Sequence, residues 1–198
     1  KTPITIGLQG EWGTGKTSLM SLLLEDFKEK EIATSWVNTW EYSMFRGAHE
    51  TTPGVLRAML EKLKESCKID DNWTLKEAED KFKKAASFLG GLANQVISNQ
   101  TGVNIKDAAN SSLSAKARAE IAEIKELISG LINDLINDSK NHYKKVVFFV
   151  DDLDRIPPSD AVEVLESLKN LFDIPHCIFV LAIDYEIVVK GLESKFGK

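Results

Sequence analysis

Residues 10–17 read Gly-Glu-Trp-Gly-Thr-Gly-Lys-Thr, between a buried-type strand run (Ile4–Gln9) and a helix-like run (Ser18–Lys28). A glycine loop between strand and helix turns its backbone N–H groups toward one point, at the positive end of the helix dipole, where phosphate binds. Gly10, Gly13 and Gly15 permit backbone angles and a close approach that a Cβ would obstruct. Lys16 can reach the β- and γ-phosphates, and the Thr17 hydroxyl can ligate Mg2+. The expected phosphate cradle is therefore Gly10, Glu11, Trp12, Gly13, Thr14, Gly15, Lys16, Thr17 and Ser18. The pattern arises by chance in about one unrelated chain of this length per hundred, and its position between strand and helix lowers those odds further.

A second constellation stands far along the chain. Residues 146–154 read Val-Val-Phe-Phe-Val-Asp-Asp-Leu-Asp. The apolar, mostly β-favouring run predicts a strand buried on both faces, as in a parallel sheet. Carboxylates at its carboxyl end fall where open α/β sheets bind ligands, beside the phosphate loop. Asp151 is then the expected magnesium anchor, and Asp152 the acid that orients or deprotonates the attacking water. Asp154 and Arg155 follow closely enough to line the same cleft, or to pair with each other as a cap on the loop. Carboxylates this crowded repel one another at neutral pH unless a cation sits among them.

These segments, with Trp-Val-Asn-Thr-Trp-Glu-Tyr at 36–42 and the continuation through Cys177–Val188, resemble the KAP P-loop NTPases. The resemblance covers residues 3–45 and about 120–198; the Trp before the second loop glycine, the Trp-x-Asn-x-Trp segment and Asp-Asp-Leu-Asp-Arg are more specific than a phosphate loop alone. It implies an additional-strand ATPase fold, ATP as ligand, a switch or assembly role, and a link to phage defence through the family name. In ATPases of that architecture a polar residue closing the strand after the acidic one contacts the γ-phosphate or attacking water, a place that Asp184 fits; its alternative is the N-cap of a closing helix. Glu41 is a lower-ranked candidate for positioning water, against a surface acid. Many bacterial relatives carry transmembrane helices between the two motifs. Here the best candidate, Ala85–Ile97, has 13 residues, a Gly-Gly pair, Asn94 and Gln95, short of the roughly 20 apolar residues that a bilayer requires.

With 198 residues, 43% hydrophobic and 28% charged, one core with an appended subdomain is expected. The net charge of −5 argues against a broad nucleic-acid-binding face. Cys67 and Cys177 fit no metal spacing, and a reducing, cytoplasmic setting with inert thiols is the expectation.

Read in order, strand Ile4–Gln9 leads through the loop into helix Thr17–Glu29, and a second strand spans about Thr34–Asn38. Thr51-Thr52-Pro53-Gly54 reads as a break before a helix over Val55–Cys67; a further helix is predicted over Thr74–Phe88, and residues 90–112 are weakly patterned. Ile121, Ile124, Ile128, Leu131 and Leu135, widened by Ile132 and Ile136, predict a long helix over Ser114–Asn141 that packs on the sheet, or self-associates where it projects. After Pro157-Pro158 a helix capped by Ser159 or Asp160 runs to about Phe172, then come a strand over Cys177–Ile183 and a helix over Tyr185–Phe196. The expected architecture is α/β, a mostly parallel sheet of order 2-3-4-1 with helices on its faces. Residues 1–50 and 143–198 form the ATPase core, and 51–142 a helical insertion or lid whose last helix packs on that core. A fifth strand normally flanks the phosphate-loop strand and no segment remains to supply it, so an exposed edge beside Ile4–Gln9 and an excised core are expected.

The expected activity is Mg-ATP hydrolysis, with an arginine neutralising the transition state, a contribution of about 10³–10⁵ in rate. Arg155 can serve in cis, or a second subunit or domain can complete the site. A non-hydrolysing nucleotide scaffold is the alternative; a GTPase or phosphotransferase is weakened by the absence of an Asn-Lys-x-Asp guanine motif.

Overall fold

The computed structural model describes residues 2–28, 30–44, 51–67, 125–126, 128–137 and 142–197. Its frame is four strands, β1 (Ile4–Gln9), β2 (Ile32–Asn38), β3 (Lys145–Asp151) and β4 (Cys177–Ile183), all paired in parallel. They lie in the order β1-β4-β3-β2, the 2-3-4-1 arrangement that the motifs imply. Gln9 is in register with Ile183 and Asn38 with Asp151, so all four carboxyl ends face one edge of the sheet.

Position in the sheet sets the character of each strand. Central β3 is buried along all but its first residue, whereas β2 alternates because it is an outer strand. Strand β1 differs from the buried-type reading of its sequence: Ile4 and Ile6 are 42% and 43% exposed. Among the described residues its partner is β4.

Adjacent strand residues point to opposite faces, and the two phenylalanines of β3 seed two cores. Phe148 stacks on Phe179 at 5.2 Å in the larger core. That face is covered by α3 (Thr51–Cys67), α4 (128–137) and α5 (Pro158–Lys169), through Val55, Met59, Ile132, Leu135 and Leu168 among others. Phe149 lies on the other face, stacked against Trp36 at 5.3 Å and Phe27 at 6.2 Å, beneath α1 (Lys16–Lys28). The result is helix, sheet and helix in three layers.

Several helix boundaries differ from expectation. Thr51-Thr52-Pro53-Gly54 opens α3 instead of breaking the chain. A proline in the first helical turn forfeits no intrahelical bond, and a Cβ at Gly54 would come 3.2 Å from the ring of Tyr42 on α2 (Thr39–Met44). Helix α5 begins at Pro158, with Pro157 as N-cap and no side-chain capping bond, so neither Ser159 nor Asp160 caps it; proline suits the first position, where its missing N–H is not needed. Of the predicted helix over Ser114–Asn141, residues 125–126 and 128–137 are described and helical, with Ile128, Ile132 and Leu135 buried in the large core. Ile121, Ile124, the Thr74–Phe88 helix and the Ala85–Ile97 run lie outside the described residues. No helix among the described residues is long and apolar enough to cross a membrane. Cys177 is buried and unpaired, and burial pushes its thiol up to about 12, which leaves it unreactive at neutral pH.

The last helix, α6 (Tyr185–Phe196), packs on α5 through Gly191. A Cβ there would lie 2.2 Å from the Pro158 carbonyl oxygen and 2.6 Å from Val162 Cγ2. Gly191→Ala gains up to about 1 kcal/mol of helix propensity but must push one backbone off another, an overpacking cost of about 1–3 kcal/mol. The clash wins, and a thermal melt should show Gly191→Ala unfolding several degrees below wild type.

Candidate nucleotide site

The site is built where the sheet ends. The chain leaves β1 at Gly10, whose N–H donates to the Ile183 carbonyl at 3.2 Å and ties the loop to the end of β4. Gly13 and Gly15 then take φ of 82° and 91°, the left-handed region that glycine alone enters without strain. Thr14 bonds back to the Glu11 carbonyl through its hydroxyl at 2.7 Å, and α1 begins at Lys16. As at any helix start, the first N–H groups of α1 lack intrahelical partners.

Across the loop stands the end of β3. A cavity of about 220 Å3 is lined by Trp12, Gly13, Gly15, Lys16, Thr17 and Ser18 from the loop and by Asp151, Asp152, Asp154 and Arg155 from the turn after β3. Two motifs more than a hundred residues apart in sequence thus share one cavity. Gly10, Glu11 and Thr14 shape the loop without lining that space.

Each acid of the turn is held differently. Asp151 is 3% exposed; its Oδ1 accepts the Asp152 N–H at 2.9 Å and its carbonyl accepts the Thr39 hydroxyl at 2.9 Å. Asp152 sits in the left-handed region at φ 58°, ψ 28°, a conformation that Asp tolerates and that concentrates at functional sites. Its Oδ2 accepts from Asn38 Nδ2 at 2.7 Å and its Oδ1 meets Arg155 Nε at 2.6 Å. Burial, and then the neighbouring Asp151 carboxylate, push the Asp152 carboxyl above its usual range, opposed by Arg155 and Asn38. Asp154 lies in the 3-10 turn Leu153–Arg155 and pairs with Lys16 Nζ at 2.9 Å. Asp154 and Arg155 thus both line the cavity, the first of their two readings, and they pair with Lys16 and Asp152 respectively instead of with each other.

Two expected residues stand apart. Asp184 is the N-cap of α6, accepting the Glu186 N–H at 2.9 Å, and does not line the cavity. Glu41 is exposed on α2 and also outside it. Conversely, the residue-by-residue reading passed over Asn38 and Thr39. Both belong to the Trp-x-Asn-x-Trp segment, and a polar pair ending a strand beside the acidic strand is the signal that points to them.

Hard oxygen donors at Thr17 and Asp151 suit Mg2+. Among the described residues no trio of His, Cys, Asp or Glu is gathered into a self-sufficient metal cage. Mg2+ takes one or two carboxylates and completes its shell with phosphate and water. The arrangement can therefore cradle a polyphosphate on the loop side and a divalent cation on the acidic side.

The family model described as the KAP family P-loop domain matches residues 1–198. The chain is also similar to the Phage T7 exclusion protein of Escherichia coli (strain K12), at 22% identity over 213 residues, covering 95% of this chain and 27% of that protein. The chain thus spans about a quarter of its relative's length. Strand order, phosphate loop and family match agree, and the chain belongs to the KAP family of P-loop domains, a nucleotide-binding family.

Proposed function

We propose that the chain is a Mg-ATP-hydrolysing switch domain that controls the assembly of a larger protein. The observation that carries this reading is the shared cavity, with Lys16 on one wall and Asp151 and Asp152 on the other. Phosphoryl transfer needs positioning and charge stabilisation more than covalent chemistry. Lys16 and the loop amides hold the β- and γ-phosphates, and Thr17 and Asp151 hold Mg2+, which when bound neutralises phosphate charge. Asp152, beside Asp151 and aimed by Asn38, orients the attacking water and accepts its proton. Trp12, 77% exposed at the cavity rim, offers a flat apolar face to the bound nucleotide.

Arg155, paired with Asp152, is the arginine on the cavity wall. Turnover by the chain alone is therefore slow, and faster when Arg155 swings free or a second copy brings an arginine. The name of the Escherichia coli relative supports a phage-defence setting for the whole protein.

Adenine is favoured over guanine because the sequence holds no Asn-Lys-x-Asp motif. The test is equilibrium binding with Mg2+ present, followed by a phosphate-release assay over a range of protein concentrations. Expected are ATP binding that equimolar GTP does not displace, and slow phosphate release. Displacement by GTP overturns the adenine preference, and ATP binding with no hydrolysis at any concentration favours the nucleotide scaffold.

A further inference from the structure

Lys16 has three N–H donors on its ammonium, and all three are engaged: with the Gly10 carbonyl at 2.7 Å, the Glu11 carbonyl at 3.0 Å and Asp154 Oδ2 at 2.9 Å. A phosphate can reach this ammonium only by displacing one of them. The two carbonyls belong to the loop that must itself cradle the phosphates. The carboxylate comes from a different element, 138 residues away, and it carries the same sign of charge as the ligand. The pair is also sheltered, with side-chain exposures of 9% and 7%, so solvent screens it far less than a surface ion pair.

We propose that Asp154 is a phosphate surrogate: it latches the phosphate-loop lysine, and the triphosphate binds by expelling it. This rests on the nucleotide-site reading above and adds its regulation.

The turn that carries Asp154 explains what expulsion does. Leu153 and Ile156 anchor it in the large core at 2% and 3% exposure, with Asp154 and Arg155 between them. Arg155 holds Asp152 through Oδ1. Driving the Asp154 carboxylate off Lys16 therefore acts on the same short turn that holds Arg155 against Asp152. Filling the phosphate site and freeing the water-orienting acid become one event. The turn also touches α2 and α5, which gives the displacement a route to the outer surface of the domain.

Asp154→Asn keeps the shape and removes the competing charge. Replacing a charge-assisted contact by a neutral one should tighten ATP binding about tenfold or more. It should also tighten binding of inorganic tripolyphosphate, which lacks a base and reports on the phosphate subsite alone. Wild-type ATP binding with equal or weaker binding by Asp154→Asn would overturn the latch and leave the nucleotide site standing. Binding by the variant but not by wild type would support the latch strongly. Failure of both to bind ATP would overturn latch and site together. A second measurement needs no variant: saturating ATP should change amide hydrogen exchange over residues 153–156 of the wild-type chain, and unchanged exchange there would also overturn the latch.

Discussion

Lys16→Ala should abolish useful nucleotide binding, raising the dissociation constant for ATP by about a hundredfold or more. The ammonium is the cation on the loop side of the cavity, and hydrogen bonds to charged groups are each worth roughly 1.5–3 kcal/mol, where about 1.4 kcal/mol is a factor of ten. The substitution has a second effect that must be separated from the first. It strands the sheltered Asp154 carboxylate without its partner, at a cost of about 1–3 kcal/mol in stability. The double variant Lys16→Ala with Asp154→Asn should recover that stability, read by urea unfolding, without recovering ATP binding. Recovery of binding along with stability would mean that Lys16 serves the fold and not the ligand.

The second large effect belongs to Asp152. Asp152→Asn should lower the rate of ATP hydrolysis by about 10²–10⁴, the usual contribution of a positioned acid or base, while ATP affinity changes less than about threefold. The side chain keeps its shape, and its oxygen can still accept the Asn38 bond now made at 2.7 Å. What it loses is the lone pair that takes the proton and the charge that Arg155 faces. Single-turnover kinetics at saturating ATP separate the chemical step from binding. Hydrolysis that survives this change would move the role to another acid, such as Glu41 or Asp184, neither of which lines the cavity. Asn38→Ala provides a graded comparison, because it removes the group that aims Asp152 and leaves the carboxylate in place.

The frame of the molecule was legible because its signals are local. A strand, a glycine loop and a helix in succession state their own geometry, and Ile4–Gln9 has the predicted bounds. The acidic strand likewise ends where its last apolar residue meets Asp151. Boundaries that depend on context were misread. Proline and glycine at 53 and 54 signal a break or a helix start alike, and here they lie in the first turn of α3, with Gly54 against the ring of Tyr42. The exposure of Ile4 and Ile6 is not written in the apolar letters of β1, which read as a buried-type strand.

The site divides in the same way. The phosphate loop and Asp151 were visible as motifs, and the parallel order of the strands was enough to bring them to one edge. The long-range contacts that hold the acidic turn were not visible. Lys16 meets Asp154 across 138 residues and Asn38 meets Asp152 across 114, and no spacing rule reaches that far. Adjacency of Asp154 and Arg155 pointed to a local pair, yet the left-handed backbone at Asp152 turns the two side chains toward different partners.

The central claim is that one cavity holds both the triphosphate and its metal, with Lys16 and Asp151 on opposite walls. An experimental structure with Mg2+ and a non-hydrolysable ATP analogue tests it most directly. The γ-phosphate should lie within hydrogen-bonding distance of Lys16 Nζ, the metal between Thr17 and Asp151, and the Asp154 carboxylate off the lysine. An analogue bound elsewhere, with Lys16 still paired to Asp154, would contradict the account.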